Sequence, residues 1–391
     1  MLKQLSIAAL AGLAFAQDST PDLATALSGT DELSTLQGLV PQSLLGALGG
    51  AQNITILAPS NSAFEKINAD TLESLTSNEG MLAALLQYHV LNGTYLASAI
   101  PDDGVFVPSL LTNEMYTNVT GGQVVEAESE DDSVVFYSGL MNNATVTTAN
   151  VNFTGGVIHI IDTVLSIPMV ASDVLTAAGL SSLRGAVVAA DLVDTVNTTP
   201  NVTIFAPTNE AFQNIGSALG NLSTEDLTSI LTYHVVAGTI GYSTGLMNGT
   251  QLTTANGEML TVTVGDEGVF VNNAKVVTAD VLIANGVVHV IDQVLNPSNM
   301  TASDADNDDD DEGSPAFEGA SSVSEAPFTS GQPTMSTTLA GGAAPTGNND
   351  NNDNNDDNDN SPEQTTNAAA PMQTGAVGMG ALFGAAAVYF M

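Results

Sequence analysis

Two stretches of this chain repeat each other block by block, and that repeat restricts the fold more than any other feature. The segment NITILAPSNSAF, Asn53 to Phe64, returns as NVTIFAPTNEAF, Asn201 to Phe212, an offset of 148. Tyr88-His89-Val90 returns as Tyr233-His234-Val235, an offset of 145. NNATVTTANV from Asn142 and GVIHIIDTVL from Gly156 return as variants from Asn272 and Gly286, both offset by 130. The blocks keep their order. A repeat of about 125 to 150 residues is large enough to bury its own core, roughly 68% of its unfolded surface, so each copy is expected to be a whole domain. The repeat places the domains at residues 18–168 and 169–297. The first copy is 18 residues longer, and most of the excess falls between Tyr-His and the closing strands. It is expected over residues 97–137 as an acidic surface insertion carrying Asp102, Asp103, Glu126, Glu128, Glu130, Asp131 and Asp132.

Both copies give one coarse reading. Asn53 to Ala58 and Asn201 to Ala206 are β-branched and apolar and stop at Pro59 and Pro207, as buried strands do. Ser60 and Thr208 stand where a hydroxyl can cap a following helix, which places Phe64 and Phe212 just inside the first turns. Helices are expected over Met81–Leu91 and Leu227–Val236. Asn256-Gly257, Asn272-Asn273 and Asn285-Gly286 punctuate short strands. Helices lead and strands follow, so the class is α+β.

The strand into Ala-Pro-Ser/Thr-Asn-x-Ala-Phe, the Tyr-His at a helix end, and the closing Gly-Val-Ile/Val-His-Ile/Val-Ile-Asp-x-Val-Leu together resemble the fasciclin domain. All three blocks occur twice, in order, over about residues 20 to 296. The resemblance implies two tandem fasciclin-like domains, each a β-sheet wedge flanked by helices, of the kind found in secreted or anchored adhesion and matrix proteins. It also implies partner contacts near the Tyr-His motif, which makes Tyr88, His89, Tyr233 and His234 the candidate partner-binding residues. Animal relatives carry integrin-read motifs around Tyr-His, and nothing in the flanks here carries an integrin partner over.

Charge narrows the partners. The chain has 43 acidic residues against four basic ones, Lys3, Lys66, Arg184 and Lys275, which are scattered singly. No basic patch can form, so nucleic acid and polybasic docking to anionic lipid are excluded. The absence of Cys removes disulfides, thiolate metal sites and thiol nucleophiles.

The ends of the chain point outward. Residues 1–16 read as a signal peptide, with Lys3, an apolar run from Leu5 to Phe15 and a small-residue site before Gln17. Ten Asn-x-Ser/Thr sequons, at Asn53, Asn92, Asn118, Asn143, Asn152, Asn197, Asn201, Asn221, Asn248 and Asn299, predict a glycosylated surface. Residues 298–367 are rich in Asp, Asn, Ser, Thr and Pro, hold 15 of the acids and no basic residue, and are expected as a disordered acidic stalk. Residues 368–391 read as the propeptide of a glycosylphosphatidylinositol anchor: small residues, a polar spacer, then a 16-residue apolar tail from Ala376. Asn367 is the expected attachment residue, with Ala368 or Asn360 as alternatives. A short membrane-anchoring helix is the competing reading of the tail.

No catalytic motif occurs. His89, His159, His234 and His289 are the histidines, two per copy in matching positions. Convergence of these with Asp162 and Asp292 on a metal or a base is one reading. The other is structural: His89 and His234 binding helix-end carbonyls, His159 and His289 within the final strands, and the aspartates fixing the strand exit. Asp308-x-Asp310-x-Glu312 resembles the start of a calcium loop, but Gly319 stands at its twelfth position and Pro315 interrupts it. The chain is therefore expected to be no enzyme and to have no cofactor or metal site. Its expected partners are extracellular protein or glycan ligands, and the membrane through a lipid anchor. Three functions compete: surface adhesion or recognition, a passive component of a wall or matrix, and a hydrolase.

Overall fold

The computed structural model describes residues 20–130, 133–220, 222–265, 268–299, 317 and 319–333. The signal peptide, Asn221, Asn367, the anchor propeptide and most of the stalk lie outside the described residues.

Each half builds one seven-stranded sheet from its own strands. In the first half the strands are β1 (Ile54–Pro59), β2 (Val90–Asn92), β3 (Val105–Pro108), β4 (Val124–Glu130), β5 (Ser133–Tyr137), β6 (Asn143–Phe153) and β7 (Gly156–Ile161). Their order across the sheet is β2-β1-β7-β6-β5-β4-β3. The second half has β8 (Val202–Pro207), β9 (Val235–Val236), β10 (Gln251–Thr253), β11 (Met259–Gly265), β12 (Gly268–Val271), β13 (Ala274–Ile283) and β14 (Gly286–Ile291), in the matching order β9-β8-β14-β13-β12-β11-β10. The first strand of each half pairs in parallel with the last, Ile54 opposite Gly156 and Val202 opposite Gly286, and the other pairings are antiparallel. The sheet curls until its edges meet: the Leu110 amide donates to the Val90 carbonyl at 2.8 Å, and the Ala255 amide to the Val235 carbonyl at 2.7 Å.

The curl explains why β1 and β8 are apolar at nearly every position. Side chains alternate faces along a strand. Ile54, Ile56 and Ala58 join a core under the helices with Leu36, Phe64 and Ile158, while Leu57 turns into a second core inside the curl with Tyr88, Val125 and Phe136. In the second half Val202, Ile204 and Ala206 face the helices with Leu183 and Phe212, and Phe205 faces the inner core with Tyr233 and Val262. The caps form as the hydroxyls predict: Ser60 Oγ accepts from the Ala63 amide at 3.2 Å and Thr208 Oγ1 from the Ala211 amide at 3.1 Å.

Three expectations need correction. The Tyr-His helices run Glu79–Tyr88 and Thr224–Tyr233, so Val90, Leu91, Val235 and Val236 are not helical. They are edge strands on β1 and β8, where β-branched valine suits the sheet.

Residues 97–137 are not a surface insertion. Glu126, Glu128 and Glu130 lie in β4, inside the sheet order. Leu110 matches Ala255 at an offset of 145, whereas Val124 matches Met259 at 135, so ten of the extra residues fall in the loop 111–123. That loop is the joint to the second half. Asn118 N donates to Ala284 O at 2.8 Å, Gln123 Nε2 to Ile283 O at 3.0 Å, and Thr120 and Asn201 exchange two bonds of 2.8 Å. Leu140 and Met141, in a second local excess, pack against the second half's core, and the Phe106 and Tyr242 rings stack with centroids 4.1 Å apart.

The stalk reading changes for one stretch. Residues 319–333, with Phe317, form a strap on the helices of the second half. Phe328 meets Phe212 edge to face at 6.3 Å, and the Val323 amide donates to Gln213 O at 3.0 Å. Arg184 Nη1 donates to Gln332 Oε1. The glycines Gly185 and Gly216 make the approach possible, since a Cβ at Gly185 would lie 1.9 Å from the Phe328 carbonyl and one at Gly216 would lie 2.2 Å from the Val323 side chain. Among the described residues no helix is long and apolar enough to cross a membrane.

Candidate functional site: the paired Tyr-His segments

Both Tyr-His pairs end a helix on the inner face of the sheet, and all four side chains are buried: Tyr88 and Tyr233 are 0% exposed, His89 4% and His234 2%. Tyr88 Oη donates to Val124 O at 2.9 Å, and Tyr233 Oη donates to Met259 O at 3.0 Å while accepting from Asn272 Nδ2 at 2.8 Å. Each phenol therefore ties a helix end to the strand across the curl.

The histidines do the same for the chain leaving the last strand. His89 Nε2 accepts from the Leu165 amide at 3.0 Å, so its Nδ1 carries the proton and donates to Leu85 O at 2.8 Å. His234 repeats this with the Leu295 amide at 2.9 Å and Ile230 O at 2.8 Å. The ring is thus a neutral bridge between two backbone groups. As partner-contacting groups, Tyr88, His89, Tyr233 and His234 are corrected: their polar atoms are spent inside the domain, and only the surface they hold in place is open to a ligand.

Burial pushes His89 and His234 down to about 4, against the helix-end carbonyls that favour the charged ring. The sign of the linkage follows. The unfolded imidazole binds a proton near pH 6.5 and the folded one does not, so the stabilising contribution is present above pH 6.5 and lost as pH falls towards 4. At about 1.4 kcal/mol per unit, the second domain, which holds His234 but no counterpart of Glu126, should lose on the order of 2 kcal/mol between pH 7.5 and 5. Urea midpoints measured across that range check this, and a flat profile would contradict it. Glu126 acts the opposite way. Burial first, then Asp280 across the joint, then Glu128 and Glu130, push its carboxyl up to about 8, so its contribution is full below pH 4.5 and lost as pH rises through 8.

The other two histidines pair with β-bulges. His159 Nδ1 accepts from the Asn150 amide at 3.3 Å and Nε2 donates to Tyr95 O at 2.8 Å; His289 does so with the Asp280 amide at 3.3 Å and Gly241 O at 2.7 Å. Asn150 and Asp280 have positive φ, 58° and 59°, where β6 and β13 shift register. Burial lowers both imidazole pKa values. Asp162 accepts from the Thr145 amide at 2.9 Å and pairs with Lys66 at 3.2 Å, and Asp292 accepts from the Lys275 amide at 2.8 Å. All four imidazoles have both nitrogens committed to backbone, which leaves none as a base or ligand. Among the described residues no three His, Asp or Glu side chains are grouped to hold a metal.

The sequons differ in what their amides do. Asn197 Nδ2 donates to Ser172 Oγ at 3.0 Å, and Asn201 Nδ2 to Thr120 Oγ1 at 2.8 Å in the joint. A glycan is attached at that nitrogen and would stand between the packed segments. Peptide mapping after enzymatic deglycosylation in heavy water should recover Asn197 and Asn201 unmodified; a fully occupied Asn201 would contradict the joint. The joint residues Phe106, Tyr242 and Asp280 escaped the sequence reading, which placed Glu126 in a surface insertion instead of the joint. The one available signal was the uneven repeat offset, which marks where the first copy carries extra chain.

Comparison with known proteins identifies the family. The fasciclin domain family model matches residues 31–168 and 178–297. The chain is similar to a fasciclin-like arabinogalactan protein of Arthroderma benhamiae, 34% identical over 342 residues that cover 87% of this chain and 80% of the relative. It is 32% identical to a fasciclin-like arabinogalactan protein of Phaeosphaeria nodorum, covering 71% and 89% of the two chains. Human periostin is 30% identical over 256 residues, 63% of this chain but 29% of periostin. A solved domain pair from the insect cell adhesion molecule fasciclin I aligns with a TM-score of 0.34 and 20% identity over 69% of this chain and 99% of that one. The chain belongs to the fasciclin domain family.

Proposed function

We propose that this protein is a cell-surface or matrix adhesion and recognition glycoprotein that binds protein or glycan ligands through the outer surfaces of its two domains. The observation that carries this reading is the paired architecture: two domains of one fold, joined through a specific contact, with every histidine spent on holding the fold and none left for catalysis. Similar domains on one chain can engage a repeated ligand together and gain avidity without a new contact. The similarity to fasciclin-like arabinogalactan proteins and to periostin supports the same reading. A signal sequence over 1–16, the remainder of the stalk and a lipid anchor at Asn367 would place the pair outside the membrane. Residues 18–168 and 169–297 are taken as separate folding units, each with its own sheet.

The accessible acids, among them the exposed Asp102 and Asp103, favour a ligand with a basic patch and salt-sensitive capture. A second reading, a passive wall component held by its glycans, is favoured by the ten sequons. Beads coated with the purified mature protein test the first. They should adhere to surface material from the same cells, release as salt is raised, and be displaced by soluble mature protein. Retention no better than bare beads would count against adhesion.

A further inference from the structure

We propose that an apolar cleft in the second domain binds one compact, carbon-only molecule the size of a single aromatic ring. The cleft has a volume of about 140 Å³ and lies between the helix Val193–Thr198 and the edge formed by β9 and the turn before β11. Its floor is buried Leu183, Val202, Ile204 and Leu231, and Ala237 and Ala255 are exposed at its mouth.

The first domain shows that the space is particular to the second. Val202, Val196 and Ala255 line the cleft, and the matching positions in the first domain carry Ile54, Leu48 and Leu110. The match at the mouth is structural as well as sequential, because Leu110 and Ala255 donate the same edge-closing bond, to Val90 and Val235. In the first domain Ile54 and Leu48 are in the core under the helices and Leu110 packs against it. The second domain thus replaces three plugging side chains by smaller ones and keeps the surrounding fold. A void of this kind costs stability when left empty, and an apolar one of about 150 Å³ takes benzene.

The lining sets the ligand's chemistry. His234 borders the cleft, but both its nitrogens are committed to the Leu295 amide and the Ile230 carbonyl. The Thr232 and Thr199 hydroxyls donate to the Thr228 and Thr195 carbonyls at 2.7 Å each. A polar group pushed to the floor would find no free donor and would pay for its desolvation.

The test is a titration of the mature protein, labelled at Leu and Val methyls, with toluene, followed by NMR. Methyls of Leu183, Val202 and Leu231 should shift saturably, while those of Leu36, Leu48 and Leu86 in the first domain should not. Ala255→Leu combined with Val196→Leu copies the first domain's plugs and should weaken toluene binding about tenfold or more. Non-saturable or equal shifts in both domains would overturn the proposal, as would undiminished binding in a folded double variant. The wild-type titration decides alone if that variant does not fold. This outcome is independent of the adhesion reading, which neither requires the cleft nor fails with it.

Discussion

Gly286→Ala should unfold the second domain, and Gly156→Ala the first. Each glycine opens the last strand of its sheet opposite the first residue of the parallel partner strand. A Cβ there would stand 1.9 Å from the Val202 carbonyl oxygen and 1.8 Å from that of Ile54. Neither atom can yield, because both belong to fully buried strands that are hydrogen-bonded to a neighbour on each side. The loss should reach about 4 kcal/mol or more, the range reserved for breaks of this kind. Gly38→Ala is the control. Nothing lies within 4 Å of its Cβ position and it sits in a helix, so alanine should leave stability unchanged or raise it by about 0.5–1 kcal/mol. Denaturant unfolding of the three variants separates the cases, and a mild Gly286→Ala would mean that the parallel pairing of β14 with β8 is wrong.

His234→Ala is the second large effect. It strands the Leu295 amide and the Ile230 carbonyl in a buried site and opens a void beside an existing cleft. Unpaired buried groups cost about 1–3 kcal/mol each and large-to-small core changes a further few, so a loss of about 3–5 kcal/mol is expected; His89→Ala should cost less, because the Leu85 carbonyl keeps its bond from the residue 89 amide. Tyr88→Phe removes one hydrogen bond and should cost only about 1 kcal/mol. The informative comparison is between stability and attachment: any adhesion lost in His234→Ala should track the fraction unfolded. Full stability with lost adhesion would restore the imidazole as a contact group.

Much of this fold was legible because the sequence carries it twice. Corresponding blocks become corresponding strands in the two sheets, and the caps at Ser60 and Thr208 follow from local chemistry alone. What escaped depends on contacts between distant segments. Val90 and Val235 follow a helical pattern without a break, and only the edge of β1 or β8 makes them strands. The strap is anchored by Phe328 and Val323 in a polar stretch with no period to announce it, and its seats, Gly185 and Gly216, read as ordinary small residues. The loop 111–123 reads as exposed surface because the segments it packs on lie in the other domain. The burial of Tyr-His could be argued from its place at the end of a helix, but not that both ring nitrogens would be consumed, which is what moves the candidate site from these side chains to the surface above them.

The proposed adhesion through the outer surfaces of the paired domains is tested most directly in cells. Cells lacking the protein, then restored with the whole chain or with either domain deleted, should be measured for attachment to one another and to a substratum. Attachment should drop in the deletion, return with the whole chain, and return only weakly with one domain. Unchanged attachment in the deletion, accompanied by altered wall strength or permeability, would contradict the claim and leave a passive wall component.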